Sequence, residues 1–343
     1  MRRARRDAWL LVCLAGAGAL LAACGSGGSG AANSLTLYNG QHPQTTQVLV
    51  DAFEKQTGID VQIRNDDEDV LANQIVEEAG GSPADVIYTE NSPALQFLAG
   101  KNLLAPTSTP TLAAVPARYD SPQGDWMGVS ARVSVLVYNT SELSPAQLPR
   151  SVMDLAQPQW EGKLGLAPGE TDFQPIVTSI AVAHGQGAAL AWLKAVKANA
   201  GAKVYPSNEA LTAAVNKGEA AIGVINHYYW YRQRAEVGAG AMHSAVAFFA
   251  AGDPGYVLDV SGAAVLRSSK HQAAAQKFLA FLVSRAGQEI IARSQSYEYP
   301  LAAGVQTAQS IPALSGLAPA ALSVVQLGDG ALALKLLQEA QLL

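Results

Sequence analysis

Short apolar runs alternate with helical periods along most of the chain, and this alternation limits the fold more than any other feature. Residues 35–38 read as a strand, and residues 45–56 place Val48, Leu49, Ala52 and Phe53 at helical spacing before a stop at Gly58. Residues 59–63 alternate as a strand, 70–78 read as a helix, and 85–88 as a strand again. After a Pro-rich segment, 105–122, a second series begins with strands at 133–138 and 164–167 and helices at 173–184, 188–198 and 209–216. Strands at 221–225, near 245–249 and at 259–266 follow, then helices at 272–284 and 288–294. The pattern predicts two α/β units whose mainly parallel sheet is covered by helices on both faces. There is no internal repeat.

The chain opens on a different kind of segment. Met1 is followed by Arg2, Arg3, Arg5 and Arg6, an apolar run over 8–20, and the sequence Leu21-Ala22-Ala23-Cys24. Charged start, short apolar stretch and small residues read as a secretory signal, and the ending resembles the bacterial lipobox, whose cysteine is acylated. The apolar run is short for a bilayer span of ~20 residues. We therefore expect residues 1–23 to be removed, Cys24 to carry lipid, and 24–34, rich in Gly, Ser and Ala, to act as a flexible tether. The expected location is the extracytoplasmic face of the cell membrane, reached only through that anchor. Loss of 1–23 moves the formal net charge from −5 to −8, since four arginines and one aspartate leave, and one cysteine remains. Such an acidic chain does not suit nucleic acid, where cations must replace phosphate counterions. Without its first 23 residues the 343-residue chain is long enough for about two domains.

In open α/β sheets ligands lie beyond the carboxyl ends of the strands. The residues found there are Asn39 to His42, Thr89 and Glu90, Gly169 to Asp172, and Asn226 to Tyr229. Each has a plain reading. His42 after Asn-Gly fits a turn, Glu90 fits the positive end of a helix opened by Ser92-Pro93, and Tyr228 to Tyr231 fit aromatic packing. Separate loops nonetheless bring imidazole, carboxylate and phenols to one edge. Hard oxygen donors suit a hard, highly charged cation better than zinc. Glu90 with two phenolates would carry three negative charges, the balance for a ferric ion beside neutral His42. Phenols titrate near ~10, so the cation itself must displace their protons. Four donors leave about two positions of an octahedral ion for water or a small anion. His184, His243 and His271 read as surface residues. No Gly-x-Ser-x-Gly elbow, zinc-type H-E-x-x-H or acid/base pair is present, so an enzyme is not expected.

The blocks "YNGQH", "FEKQTGIDV", "PADVIYTEN" and "GEAAIGVINHYYWY" resemble those of bacterial ferric-iron-binding proteins, the extracytoplasmic receptors of iron ABC transporters. The similarity runs from about Leu35 to about Leu301, where "YEYPL" resembles a late block. The resemblance implies a two-lobed periplasmic-binding-protein fold of the class II type: two α/β domains joined by a hinge of crossing strands, with the ligand cleft between them. It implies Fe³⁺ as the transported ligand, held by His42, Glu90, Tyr228 and Tyr229, a permease as partner, and a monomer. The expected lobes are 35–133 with 262–343, including the C-terminal helices, and 134–261; the crossings fall near 131–139 and 257–266. Many members of the family the chain resembles also hold a synergistic anion, such as phosphate, with a small turn at a helix N-terminus and an asparagine before the tyrosines. Asn226 matches that asparagine, and Asn208, Thr171 and Arg132 are further candidates to touch an anion or support the ligands. The turn here reads Pro168-Gly169-Glu170-Thr171-Asp172, whose carboxylates oppose an anion at a helix N-terminus, so the exogenous anion stays open. Asp172 can alternatively cap the helix at Phe173. His227 is expected behind the ligands or exposed. The alternative ligand for the same fold is a small organic anion such as a phosphorylated metabolite.

Overall fold

The structure is a computed structural model that describes residues 34–307 and 310–343; the expected signal, Cys24 and nearly all of the tether lie outside the described residues. The strands are β1 (Ser34–Gly40), β2 (Asp60–Asn65), β3 (Val86–Thr89), β4 (Met127–Asn139), β5 (Leu164–Gly165), β6 (Ile222–Asn226), β7 (Ser244–Ala247), β8 (Leu258–Val265) and β9 (Tyr299–Pro300). The helices are α1 (Pro43–Thr57), α2 (Glu68–Glu78), α3 (Ser92–Gly100), α4 (Thr109–Leu112), α5 (Gln174–His184) and α6 (Gln186–Ala200). They continue as α7 (Asn208–Lys217), α8 (His227–Val237), α9 (Gln272–Leu282), α10 (Arg285–Arg293), α11 (Val324–Leu327) and α12 (Ala331–Glu339).

The strand order is β2-β1-β3-β8-β4-β6-β5, with β7 and β9 also pairing β4. β4 organises this curled sheet. Its 13 residues, MGVSARVSVLVYN, contain no proline and are all buried. A strand that long spans about 40 Å, enough to serve both lobes. Its first part pairs β8, from Met127↔Ala263 to Val133↔Leu258. The second part pairs β6, from Ser134↔Asn226 to Tyr138↔Ile222. The chain thus passes from one lobe to the other along β4 and returns along β8, giving the two-lobed fold with its crossing strands.

The sheet is mixed rather than mainly parallel. β1–β2, β1–β3 and β5–β6 are parallel, and the other five of the eight strand pairings are antiparallel. The reason is the return path: β8 runs back beside β4 and β3, and a period of two is the same in either orientation. The final helix also packs elsewhere than expected. α12 lies on α5 and α6, and Lys197 Nζ donates to the carbonyls of Ala340 and Gln341 at 3.1 and 2.8 Å. It belongs with the second-lobe helices and not with the first lobe, to which 262–343 was assigned. Among the described residues no helix is long and apolar enough to cross a membrane.

Candidate metal centre

β1 delivers His42 to the cleft. The Asn39 side chain closes the turn, donating to the Gln41 carbonyl at 2.7 Å and accepting from Thr46 Oγ1 at 2.9 Å. Pro43 at the first position of α1 suits its missing N–H, and the His42 N–H donates to Gln41 Oε1 at 2.7 Å. The backbone under the imidazole is therefore fixed. Gly40 is needed here because a Cβ would stand 2.7 Å from Glu68 Cβ. His42 Nδ1 contacts Glu90 Oε1 as an ion pair, while buried Nε2 has no hydrogen-bond partner. Burial pulls the His42 pKa down, but the Glu90 charge outweighs it and leaves the group raised. Burial likewise opposes ionisation of Glu90, yet His42 and then Arg132 hold its carboxyl below the usual range.

β6 delivers the phenols from the other lobe. Asn226 is extended before α8, with φ −77° and ψ 144°, and the helix buries its first three residues, His227, Tyr228 and Tyr229. Neighbouring helical residues point about 100° apart, yet both hydroxyls reach one oxygen. Tyr228 and Tyr229 donate to Asp172 Oδ2 at 3.1 and 2.9 Å, and their ring centroids lie 4.2 Å apart. The His42 ring meets Tyr228 edge-on at 4.9 Å, which brings the two arms together across the cleft. Burial first, then the charges of Asp172 and Glu90, push both phenols well above their ordinary pKa.

Asp172 does not cap α5; it lies in the single turn 171–173 and faces the phenols. Only 6% exposed, it leaves Oδ1 unpartnered, and Asn208 Nδ2 donates to Oδ2 at 3.4 Å. Burial and the Glu90 charge raise its pKa, opposed by Arg132. Arg132 is fully buried on β4 and donates to Glu298 Oε1 at 2.8 Å and Asn91 Oδ1 at 3.2 Å. Thr171 accepts from Asn91 Nδ2 at 3.2 Å, a bond between lobes. Arg132, Thr171 and Asn208 thus each engage a protein group, and Asn226 sits before α8 without a side-chain cap bond.

Several residues escaped the sequence reading. Glu298 anchors Arg132 and also accepts from Ser130 Oγ at 2.8 Å. Glu68 is buried and accepts from the Asn91 backbone and side chain, both at 2.8 Å. His227 is fully buried rather than exposed: Nδ1 accepts from the Val133 N–H at 3.3 Å, and Nε2 lies 2.9 Å from the Tyr297 carbonyl. Burial lowers its pKa to about 4, so it is neutral, with its proton on Nε2. His271 is not free on the surface but pairs with buried Asp85 at 3.1 Å. "YEYPL" was the available signal for Glu298; nothing local marked Glu68.

A cleft of about 370 Å³ opens onto this arrangement, lined by His42, Glu90, Glu170, Thr171, Glu68 and Asp66 among others. Its acidic lining concentrates cations. Burial, with Asp172 and Glu209 nearby, pushes Glu170 up to about 7. Among the described residues no group of three or more His, Cys, Asp or Glu side chains is placed to hold a metal ion.

Two lobes facing each other across an acidic cleft, with polar side chains from both converging inside, define a binding protein for a small ligand. The chain belongs to the bacterial extracellular solute-binding proteins, the family that matches residues 81–317. It is 39% identical over 313 residues to the Fe(3+)-binding periplasmic protein of Serratia marcescens, covering 91% of this chain and 92% of that one. With the major ferric iron-binding protein of Neisseria gonorrhoeae the identity is 36% over 327 residues, covering 94% and 97%. Iron-bound HitA from Pseudomonas aeruginosa superposes with a TM-score of 0.85 at 42% identity, over 90% of this chain and 99% of that one. This is a solute-binding protein of the extracytoplasmic space and not an enzyme.

Proposed function

We propose that the chain binds Fe³⁺ between its lobes through His42, Glu90, Tyr228 and Tyr229 and hands it to an ABC-transporter permease. The observation that carries this reading is the edge-on contact of the His42 ring, whose buried Nε2 has no hydrogen-bond partner, with buried Tyr228 from the other lobe, against which Tyr229 packs. Names of relatives that are 39% and 36% identical point to the same ion. Glu90 and two phenolates supply three negative charges to a trivalent ion, and the acidic cleft favours its entry. Each lobe holds half of the donors, so iron favours the closed state, which alone assembles them. We further propose a monomer held at the extracytoplasmic face of the membrane by lipid on Cys24. Radiolabelled palmitate should enter the full precursor and not a Cys24→Ser variant; equal labelling of the two would remove the anchor from the account.

Calorimetric melting of the soluble, metal-free domain tests the ligand. Stoichiometric ferric ion should raise the melting temperature, and Tyr229→Phe should abolish most of the rise. Stabilisation by a phosphorylated metabolite, with none from iron, would transfer the chain to the organic-anion receptors.

A further inference from the structure

We propose that Gln41, acting through Ser261 of β8, is a positioning residue for the metal site: it sets His42 against Glu90 and holds that first-lobe pair in register with the hinge. This role rests on the ferric reading above, which makes the two side chains ligands. One chain of buried hydrogen bonds supports it. The His42 N–H donates to Gln41 Oε1, Gln41 Nε2 donates to Ser261 Oγ, and Ser261 Oγ donates to the Thr89 carbonyl, each at 2.7 Å. That carbonyl belongs to the peptide that links Thr89 to Glu90. The backbone of one donor is thus tied to the backbone of the other by two side chains, both buried.

The Gln41 amide can face only one way. Its Nε2 meets acceptors: Ser261 Oγ, whose proton goes to Thr89, and the Glu298 carboxylate at 3.2 Å. Its Oε1 meets a donor, the His42 N–H. Hydrogen bonds that run head to tail in this way polarise one another, and a fully satisfied buried network rigidifies what it joins. The turn itself does not require them, because Asn39 closes it locally. Gln41 instead reaches 220 and 257 residues along the chain, to β8 and to the carboxylate that anchors Arg132 on β4. Burying an amide side chain is unfavourable unless its bonds are made, and here they fix where the turn stands relative to Glu90 rather than the shape of the turn. Ser261 lies in the crossing strand on which the chain returns between the lobes. The first-lobe half of the site is therefore assembled, and keyed to the hinge, before the second lobe brings its phenols.

The test is iron affinity of the soluble domain by chelator competition, with Gln41→Met placed in two backgrounds. Alone it should lower affinity about 10–100-fold, the range for a partner that orients a ligand, and shift the phenolate-to-iron band that both tyrosines still supply. In a His42→Ala background the same substitution should cost about twofold or less, because a residue that acts through His42 has nothing left to position. Equal losses in the two backgrounds, or none in the first, would overturn the proposal. Ser261→Ala cuts the same chain at its other end by removing one oxygen, and serves if Gln41→Met fails to fold. It should also weaken binding, and the two substitutions together should lose clearly less than the sum of their separate effects; additive losses would overturn the bridge. Nitrogen NMR of the His42 ring in the metal-free domain needs no iron: one sharp set of ring signals in wild type should broaden or double in either variant, and unchanged signals would count against the role. A wild-type domain that binds no iron would sink the ferric reading, while the ring signals would still decide whether Gln41 fixes His42.

Discussion

His227 ties the tyrosine pair to the hinge, and its titration should be visible in stability. Burial depresses its pKa from the ordinary 6.5 to about 4. Between those values the unfolded chain carries a proton on this residue that the folded chain excludes. The unfolded state thus binds more protons, and stability rises with pH through that window. The contribution is fully present above 6.5 and is lost as pH drops towards 4, an interval worth about 3 kcal/mol at ~1.4 kcal/mol per pH unit. Urea unfolding of the metal-free domain at pH 7, 6 and 5 measures it. Wild type should lose about 2 kcal/mol more than His227→Gln between pH 7 and 5, because the variant has nothing to titrate there. The variant starts lower, since the Val133 N–H and Tyr297 carbonyl lose a well-fitted partner at about 1–3 kcal/mol for a buried group left unpaired. Parallel pH curves for the two proteins would refute the reasoning.

Three further outcomes are expected. Iron affinity should fall about hundredfold for each unit that pH drops near neutrality, one factor of ten for each phenolic proton displaced; chelator competition reads the slope, and a slope of one would leave a tyrosine out of the site. Arg132→Met strands the buried Glu298 carboxylate, so it should cost about 3–5 kcal/mol, most of it recovered when Glu298→Leu is added. Thermal melts that show the double variant no better than the single would contradict this pairing. Gly40→Ala sets a Cβ against Glu68, at a cost of about 1–3 kcal/mol, and should weaken iron binding by displacing the turn under His42; unchanged stability would mean the turn yields freely.

Legibility followed the range of the interactions. Strand and helix periods and the loops at strand ends are local, so His42, Glu90, Tyr228 and Tyr229 could be picked out as a group, and the structure brings His42 against both Glu90 and Tyr228. Asp172 escaped because its partners lie 56 and 57 residues away, and no local pattern distinguishes a helix cap from a carboxylate facing two phenols. Glu298 reaches Arg132 across 166 residues. The orientation of β8 was hidden for a different reason, since a strand reads alike in both directions. His227 stayed open between a place behind the ligands and an exposed one because α8 buries three consecutive residues at its start, which erases the amphipathic contrast that would decide between them. α12 has an apolar face that fits helices of either lobe, and only packing shows that it rests on α5 and α6.

The most direct test of the central claim is an optical titration of the metal-free soluble domain with a ferric chelate near neutral pH. The account predicts a visible phenolate-to-iron band that saturates at one equivalent and is absent from the Tyr228→Phe, Tyr229→Phe double variant. A band that survives the double substitution, or none in the wild-type protein, would contradict it.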